Sequence, residues 1–338
     1  MTAVKKAPNA KQVVNWVLDH AMILIIVLLA IVVQILRPTF FGVASLVNIL
    51  TNTAARMPIA LGVAGCIVLA GTDLSGGRVA GLTAYLAAML ASTYLGGSPI
   101  VALLVVMLAG MVVGVVNGFC MGKFKLHPFI VTLATQLIVY GTYLTMSNSA
   151  QVAMPKSYTT EFATKTLFAI QTGTKANGDP IMTAVPMLVL LAVILTVVMW
   201  FVWNKTTFGK NMFAVGSNEE AARVSGVNVL LTIIGVFMMA GALYGYTGFM
   251  EACRIGTSTA TLGLNYENDA IAAVVIGGVS FVGGTGKISG VLLGVFMMQL
   301  IITGMTFLGI SGNITYIIKG FVILIACILD MRKYMTRK

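Results

Sequence analysis

Charge is scarce in this chain. Across 338 residues only 9% are Asp, Glu, Lys or Arg, where soluble domains carry about 25%. That shortage excludes a water-soluble globular protein, and a mean hydropathy of +0.97 points the same way. Histidine is limited to His20 and His127, and cysteine to Cys66, Cys120, Cys253 and Cys327, which lie scattered and mostly inside apolar runs. No metal-ligand spacing and no disulfide framework can be built from them, so the cysteines read as small packing residues. Alternation of period two is also missing, which argues against a membrane barrel. A nucleotide site is missing as well. In the GGTGKIS stretch the first glycine required by a phosphate loop is Phe281, and the residue after Lys287 is Ile288 rather than Ser or Thr. No ATP hydrolysis and no cofactor are expected of this chain itself.

What remains is long apolar sequence. In lipid the backbone must satisfy its own polar groups, so these runs read as helices of a polytopic all-α membrane protein, one transmembrane domain over residues 1–338. Ten segments are expected, at Trp16–Leu36, Met57–Ala70, Gly77–Leu95, Ile100–Met121, Pro128–Met146, Ile181–Trp203, Leu230–Met250, Asp269–Val282, Ile288–Leu308 and Tyr316–Leu329. The basic N-terminus precedes an apolar run that ends in Arg37-Pro38-Thr39-Phe40, not at a small-residue cleavage site, so that run reads as an uncleaved span. With the N-terminus inside, fourteen basic residues fall on the cytoplasmic side, among them Lys123, Lys125, Lys205, Lys210, Arg223 and Lys287. Six fall outside, and Lys319 lies within the last span. This is the bias of the positive-inside rule, with both termini cytoplasmic. The net charge of +11 is therefore topological and calls for no nucleic acid.

Two segments are too short to span. Met57–Ala70 and Asp269–Val282 would each extend about 21 Å, against a hydrocarbon core of about 30 Å. Both run into glycine-rich sequence, Gly71–Arg78 and Gly283–Lys287, and Gly77-Arg78-Val79-Ala80-Gly81 parallels Gly286-Lys287-Ile288-Ser289-Gly290. Interrupted helices in corresponding places mark an internally repeated transporter. Ahead of the first, SLVNILTNTAARMP reads as an amphipathic helix broken by Pro58. It either lies at the outer interface or turns Asn48, Asn52 and Arg56 toward a polar vestibule. Residues 147–180 form the longest external loop, with a turn at Gly173, Asn177 and Gly178 and a small hairpin or short helix around it.

Ionisable residues in or near the apolar runs are functional candidates by default. Here they are Asp73, Glu251, Arg254, Glu267, Asp269 and Lys319. Glu251 and Arg254 are spaced to pair locally, and Glu267 and Asp269 suit the start of a helix. No carboxylate is expected at mid-membrane, which counts against an ion-coupled carrier. His127 before Pro128 reads as a helix start.

The longest polar passage on the cytoplasmic side runs from Asn204 to Val229. Within it Ser217 and Asn218 are N-cap types, Glu219 and Glu220 favour a first helical turn, Ala221, Ala222 and Arg223 continue it, and Gly226 can end it in a left-handed conformation. So short a helix needs a surface to lie against.

Glu220-Ala221-Ala222 followed by Gly226 resembles the EAA signature of ABC-importer permeases, without the Leu-Pro that often closes it. Together with GTDLSGGR at Gly71–Arg78, Glu251–Gly263, Tyr266–Gly278 and Tyr316–Gly320, the passage resembles the permeases of the monosaccharide (ribose/galactose) family of ABC importers. The likeness covers nearly the whole chain and is weakest at Ser147–Pro180. It implies a bacterial inner-membrane homodimer, two cytoplasmic ATP-binding-cassette subunits and an external sugar-binding protein. It implies coupling to the ATPase through Glu219, Glu220, Ala221, Ala222, Arg223 and Gly226. The implied cargo is galactose or methyl galactoside, and glucose. The alternative is ribose, another pentose or a nucleoside, and an ion-coupled secondary transporter is the more distant one. Asn48, Asn52 and Asp73 are the candidate residues of the solute path or gate.

Overall fold

A computed structural model describes residues 21–91, 97–174 and 178–335. The part of the expected first span before Ala21, and the turn residue Asn177, lie outside the described residues. The chain is helical throughout its apolar sequence. The helices are α1 Ala21–Leu36, α2 Val43–Val68, α3 Gly76–Ala91, α4 Pro99–Phe124, α5 Pro128–Ser147, α6 Met187–Lys205, α7 Thr207–Ser217, α8 Glu219–Val224, α9 Val229–Ile255, α10 Tyr266–Ile276, α11 Ile288–Phe307 and α12 Gly312–Met335. Among the described residues six of these, α4, α5, α6, α9, α11 and α12, are long and apolar enough to cross a membrane.

Four short strands, β1 Val152–Ala153, β2 Thr166–Thr174, β3 Pro180–Pro186 and β4 Thr257–Ser258, and a single π-helical turn, Thr159–Ala163, complete the elements. β2 and β3 pair antiparallel, so the long loop carries a hairpin around its turn and also a short helix ahead of it. The pairing also corrects one segment boundary. Residues 181–186 belong to a strand, and the helix starts only at Met187, after Pro186 in its extended conformation. β1 pairs with β4, which ties this loop to the turn that follows α9.

The seam between α4 and α9 is the closest helix contact. Gly110, Gly114, Gly118 and Gly122 recur every four residues on α4. A Cβ on Gly110 would stand 2.1 Å from the Gly241 carbonyl oxygen, and one on Gly114 2.1 Å from that of Phe237. Small residues at this spacing let two backbones approach in lipid, where no hydrophobic force drives helices together. Around the seam the buried core is carried by α2, α9, α10 and α11, whereas most of α4, α5, α6 and α12 turns apolar residues such as Leu137, Ile138, Phe201 and Ile317 outward. Outward apolar faces are what a lipid-bathed helix presents.

Two expectations about breaks are revised. α2 is 26 residues long, about 39 Å, and runs straight through Pro58. The residues before Pro58 are thus the first half of one continuous helix and not a separate one. Pro58 and Met57 are each buried, and tertiary packing on both sides holds the helix where proline alone would end it. α10, by contrast, has only 11 residues, about 16 Å, and starts from a re-entrant turn. Gly263 in that turn meets Gly77 at the start of α3, and Leu262 meets Gly81. The proposed repeat is therefore unequal: one short member is real and the other is half of a full-length helix. Where the parallel holds is in use, since Gly81 and Gly290 both admit a neighbouring carbonyl, those of Leu262 and Gly277.

Candidate functional site

Two polar assemblies interrupt the apolar architecture. The first is the polar passage between α6 and α9. Asn218 caps α8 by accepting from the Ala221 N–H through its side-chain oxygen at 2.9 Å, and Gly226 closes the end with φ of +84°. Glu219 accepts from Arg223 at 2.8 Å and also pairs with Lys125 just beyond α4, while Glu220 sits 3.4 Å from Arg223. The sequence-derived residues Glu219, Glu220, Ala221, Ala222, Arg223 and Gly226 thus form one capped helix, with only Ala222 turned inward. Ser217, expected as a possible cap, instead ends α7.

α7 and α8 rest on the two interrupted regions. The Gly284 N–H donates to the Val68 carbonyl at the end of α2 at 2.8 Å. Gly216 of α7 fits against the same carbonyl so closely that a Cβ there would lie 1.8 Å from its oxygen, and Gly284 in turn packs on Ser217. The α2 terminus, the loop that follows α10, and the α7–α8 unit therefore meet at one joint made of backbone. An open cleft of about 490 Å³ beside it is lined by Ala70, Lys125, His127 and Glu219 among others. His127 is the N-cap of α5, its Nδ1 accepting from the Phe129 N–H at 3.3 Å.

The second assembly lies along α2. Asn48 is exposed, Asn52 half-buried, and the Asn52 amide donates to Asn48 Oδ1 at 3.2 Å. One further helical step brings Arg56, so the three share a stripe. Arg56 Nε is 2.7 Å from Glu251 Oε1. The N–H does not point along that line, since Glu251 Oε1 and Arg56 Nη1 are both buried without a hydrogen bond; the contact is an ion pair and not an aligned bond. On the far side Arg254 places Nε at 2.9 Å and Nη2 at 2.8 Å from Glu251 Oε2. The Arg56 guanidinium lies flat over Tyr266, 3.2 Å from the ring centre, at the first residue of α10. One turn on, Asp269 pairs with Lys319 of α12 at 2.8 Å. α2, α9, α10 and α12 are thus stitched together by charge.

Asp73 does not join that stripe. It is buried and accepts from the Ser75 N–H at 2.9 Å, the Ser75 hydroxyl at 2.6 Å and the Tyr244 hydroxyl at 3.2 Å. Asn117 of α4 donates to Ser75 and accepts from Thr135 of α5. Tyr244 is near the middle of α9, so Asp73 turns the chain into α3 deep inside the bundle. Glu251 and Glu267 are likewise buried. These carboxylates lie inside the bundle because the segments before α3 and α10 fold back into it, which hydropathy along the chain does not reveal. Asp73 and Glu251 are nonetheless neutralised or bonded on every side described above. Glu267 differs, its Oε2 lying without a hydrogen-bond partner against Gly77. Sequence reasoning treated Glu251 and Arg254 as a local pair and missed Arg56 as their third member. The signal was available: Arg56 continues the Asn48–Asn52 spacing by four.

With this geometry in hand, comparison with known proteins is informative. A family model described as branched-chain amino acid transport system / permease component matches residues 45–327. The galactose/methyl galactoside import permease protein MglC of Salmonella typhimurium is 39% identical, covering 98% of this chain and 99% of that protein. Its Haemophilus influenzae counterpart is 39% identical over 94% of each. The ribose import permease protein RbsC of Haemophilus influenzae is 32% identical over 97% of each. No solved structure matches the chain. The chain is a multi-pass membrane protein and belongs to this family of transport-system permease components.

Proposed function

We propose that this chain is the permease subunit of an ATP-binding-cassette importer of the bacterial inner membrane. Its cargo is a monosaccharide, galactose or methyl galactoside before ribose, because the relatives bearing the galactoside name are the more similar and match end to end. The observation that carries the mechanism is α8. α8 is a six-residue helix capped at both ends with one inward side chain, and it continues directly from α7, whose Gly216 and Ser217 are seated on the α2 terminus and the Gly284 loop, an arrangement suited to transmitting a movement. In this reading a cytoplasmic ATPase subunit grips α8 through Glu219, Glu220, Ala221, Ala222, Arg223 and Gly226. Nucleotide-driven closure then moves α7 and the joint beneath it as a rigid piece.

The working unit is a homodimer of ten-segment subunits with cytoplasmic termini, served by two ATPase subunits and by an external sugar-binding protein that supplies most of the specificity. The Asn48–Asn52 stripe lines the solute path, and Asp73 fixes the start of α3 beside it. Replacing Gly226 and Glu220 together leaves insertion intact and uncouples uptake from ATP use. Normal sugar-stimulated ATPase activity in that variant overturns the assignment.

Glu267, a buried carboxyl whose Oε2 has no hydrogen-bond partner, favours a second reading, an ion-coupled carrier. One experiment separates the two. Liposomes bearing the permease, with and without its ATPase and binding protein, are supplied with galactose, glucose and ribose under defined proton and sodium gradients. ATP-dependent uptake that needs all the partners supports the importer. Accumulation by the permease alone on an ion gradient refutes it.

A further inference from the structure

Between α2, α10 and α11 is a small, partly open cavity of about 10 Å³, lined by Arg56, Tyr266, Asp269 and Gln299 with Ile59 and Ala60 on its apolar side. It holds one water at most. Arg56 Nη1 is buried without a hydrogen bond. Native interiors leave few such groups, and each calls for an explanation. Here that donor, the largely buried Gln299 side chain, a carboxylate and an aromatic ring converge where the Asn48–Asn52–Arg56 stripe ends.

We infer that Arg56, Tyr266, Asp269 and Gln299 form a transit site for a neutral, hydroxyl-rich ring, seen here in its closed form. The inference rests on the sugar-importer reading and extends its solute path from the Asn48–Asn52 stripe to the residues at which that stripe ends. The chemistry matches the ligand. Sugar hydroxyls donate and accept, so they suit the Arg56 donors, the Asp269 acceptors and the mixed amide of Gln299. An aromatic face with Ile59 and Ala60 suits the C–H side of the ring. The opening movement is also defined. Arg56 covers the Tyr266 ring, and α10, which carries Tyr266 and Asp269, is a short rod with glycines of positive φ beyond each end, Gly263 and Gly278. A swing of α10 away from α2 lifts the ring from under Arg56 and widens the cavity. Tight lasting affinity is not required of a site whose solute arrives from a binding protein.

The test uses the complete reconstituted transporter and measures galactose moved per ATP hydrolysed, alongside labelled galactose retained when the ATPase is trapped with vanadate. Gln299→Leu preserves shape in an apolar helix, and Asp269→Asn removes the acceptor charge. The expected result is a drop in sugar per ATP of about two- to tenfold for Gln299→Leu and at least about tenfold for Asp269→Asn, the range spanned by one neutral and one charged hydrogen bond. Retained sugar falls in parallel with uptake; Asp269→Asn also gives up the Lys319 pair and lowers folded yield, so its ratio is taken per folded transporter, and Asp269→Glu, which keeps the charge, recovers part of it. Were Asp269 and Gln299 merely holding α10 in place, hydrolysis and uptake would fall together at a constant ratio, and that result overturns the site. An unchanged ratio and unchanged retention in Gln299→Leu overturn it too. A wild-type complex that moves neither galactose nor ribose overturns the sugar reading itself, and this site with it.

Discussion

Glu251 is the most consequential single side chain in the membrane domain. It is fully buried, and its two oxygens face two different arginines, one on α2 and one on its own helix. Removing its charge leaves Arg56 and Arg254 facing each other with no anion between them. Breaking a buried ion pair from one side costs about 3–5 kcal/mol, and the partial exposure of both arginines places Glu251→Gln at the lower end. The expected outcome is a marked fall in the thermal midpoint of the detergent-solubilised protein. Arg254→Gln falls less, because Arg56 still balances Glu251. Equal midpoints for Glu251→Gln and wild type would show that the pairing contributes nothing to stability.

At the scale of elements, the α4–α9 seam sets the architecture, and its glycines face backbone that cannot retreat. Gly114→Val forces a Cβ to within 2.1 Å of the Phe237 carbonyl oxygen and 2.7 Å of its carbon. Overpacking of this kind costs about 1–3 kcal/mol, occasionally more. The yield of monodisperse protein on gel filtration is expected to collapse for Gly114→Val and to hold for Gly141→Ala, since Gly141 faces open space. The seam was written in the chain as Gly110, Gly114, Gly118 and Gly122, a pattern that reading by hydropathy alone passes over. Other elements were legible for physical reasons. The α8 caps were readable because N-cap and left-handed C-terminal preferences act within a few residues, and Asn218 and Gly226 do as their residue types require. The cap by His127 was readable for the same reason. The continuity of α2 through Pro58, the short reach of α10 and the depth of Asp73 were not. Each depends on what the segment packs against: buried neighbours override proline, and a turn such as Gly256–Asn265 re-enters the bundle only because Gly77 and Gly81 leave room for it. Of the candidate site, Asn48 and Asn52 were visible as a stripe, but the partners that make Arg56 matter come from α9 and α10, far away in sequence.

On the scale of the whole molecule, the question is how α8 can influence a buried charged cluster farther along α2. The contacts form a continuous route. α8 is fixed to α7, and Gly216 and Ser217 at the end of α7 press on the Val68 carbonyl and on Gly284. The loop containing Gly284 leads back into α10, whose other end carries Tyr266 under Arg56 and Asp269 against Lys319. α2 links the same two places directly, with Val68 at the joint and Arg56 in the cluster. Displacement at the joint therefore reaches the cluster through two rigid rods, and packed backbone of this kind shifts between discrete arrangements instead of deforming smoothly. Gly216→Ala tests the route without touching α8 or the cluster. Its methyl would stand 1.8 Å from the Val68 oxygen, so the joint has to part. On the importer reading proposed above, the expected outcome is a permease that inserts at wild-type levels and supports ATP hydrolysis in the reconstituted complex, yet moves several-fold less sugar for each ATP consumed, about the effect of 1 kcal/mol or more of misplaced packing. A variant with wild-type sugar per ATP would mean that the force passes elsewhere, and that the contact of Gly216 with the end of α2 only fills space.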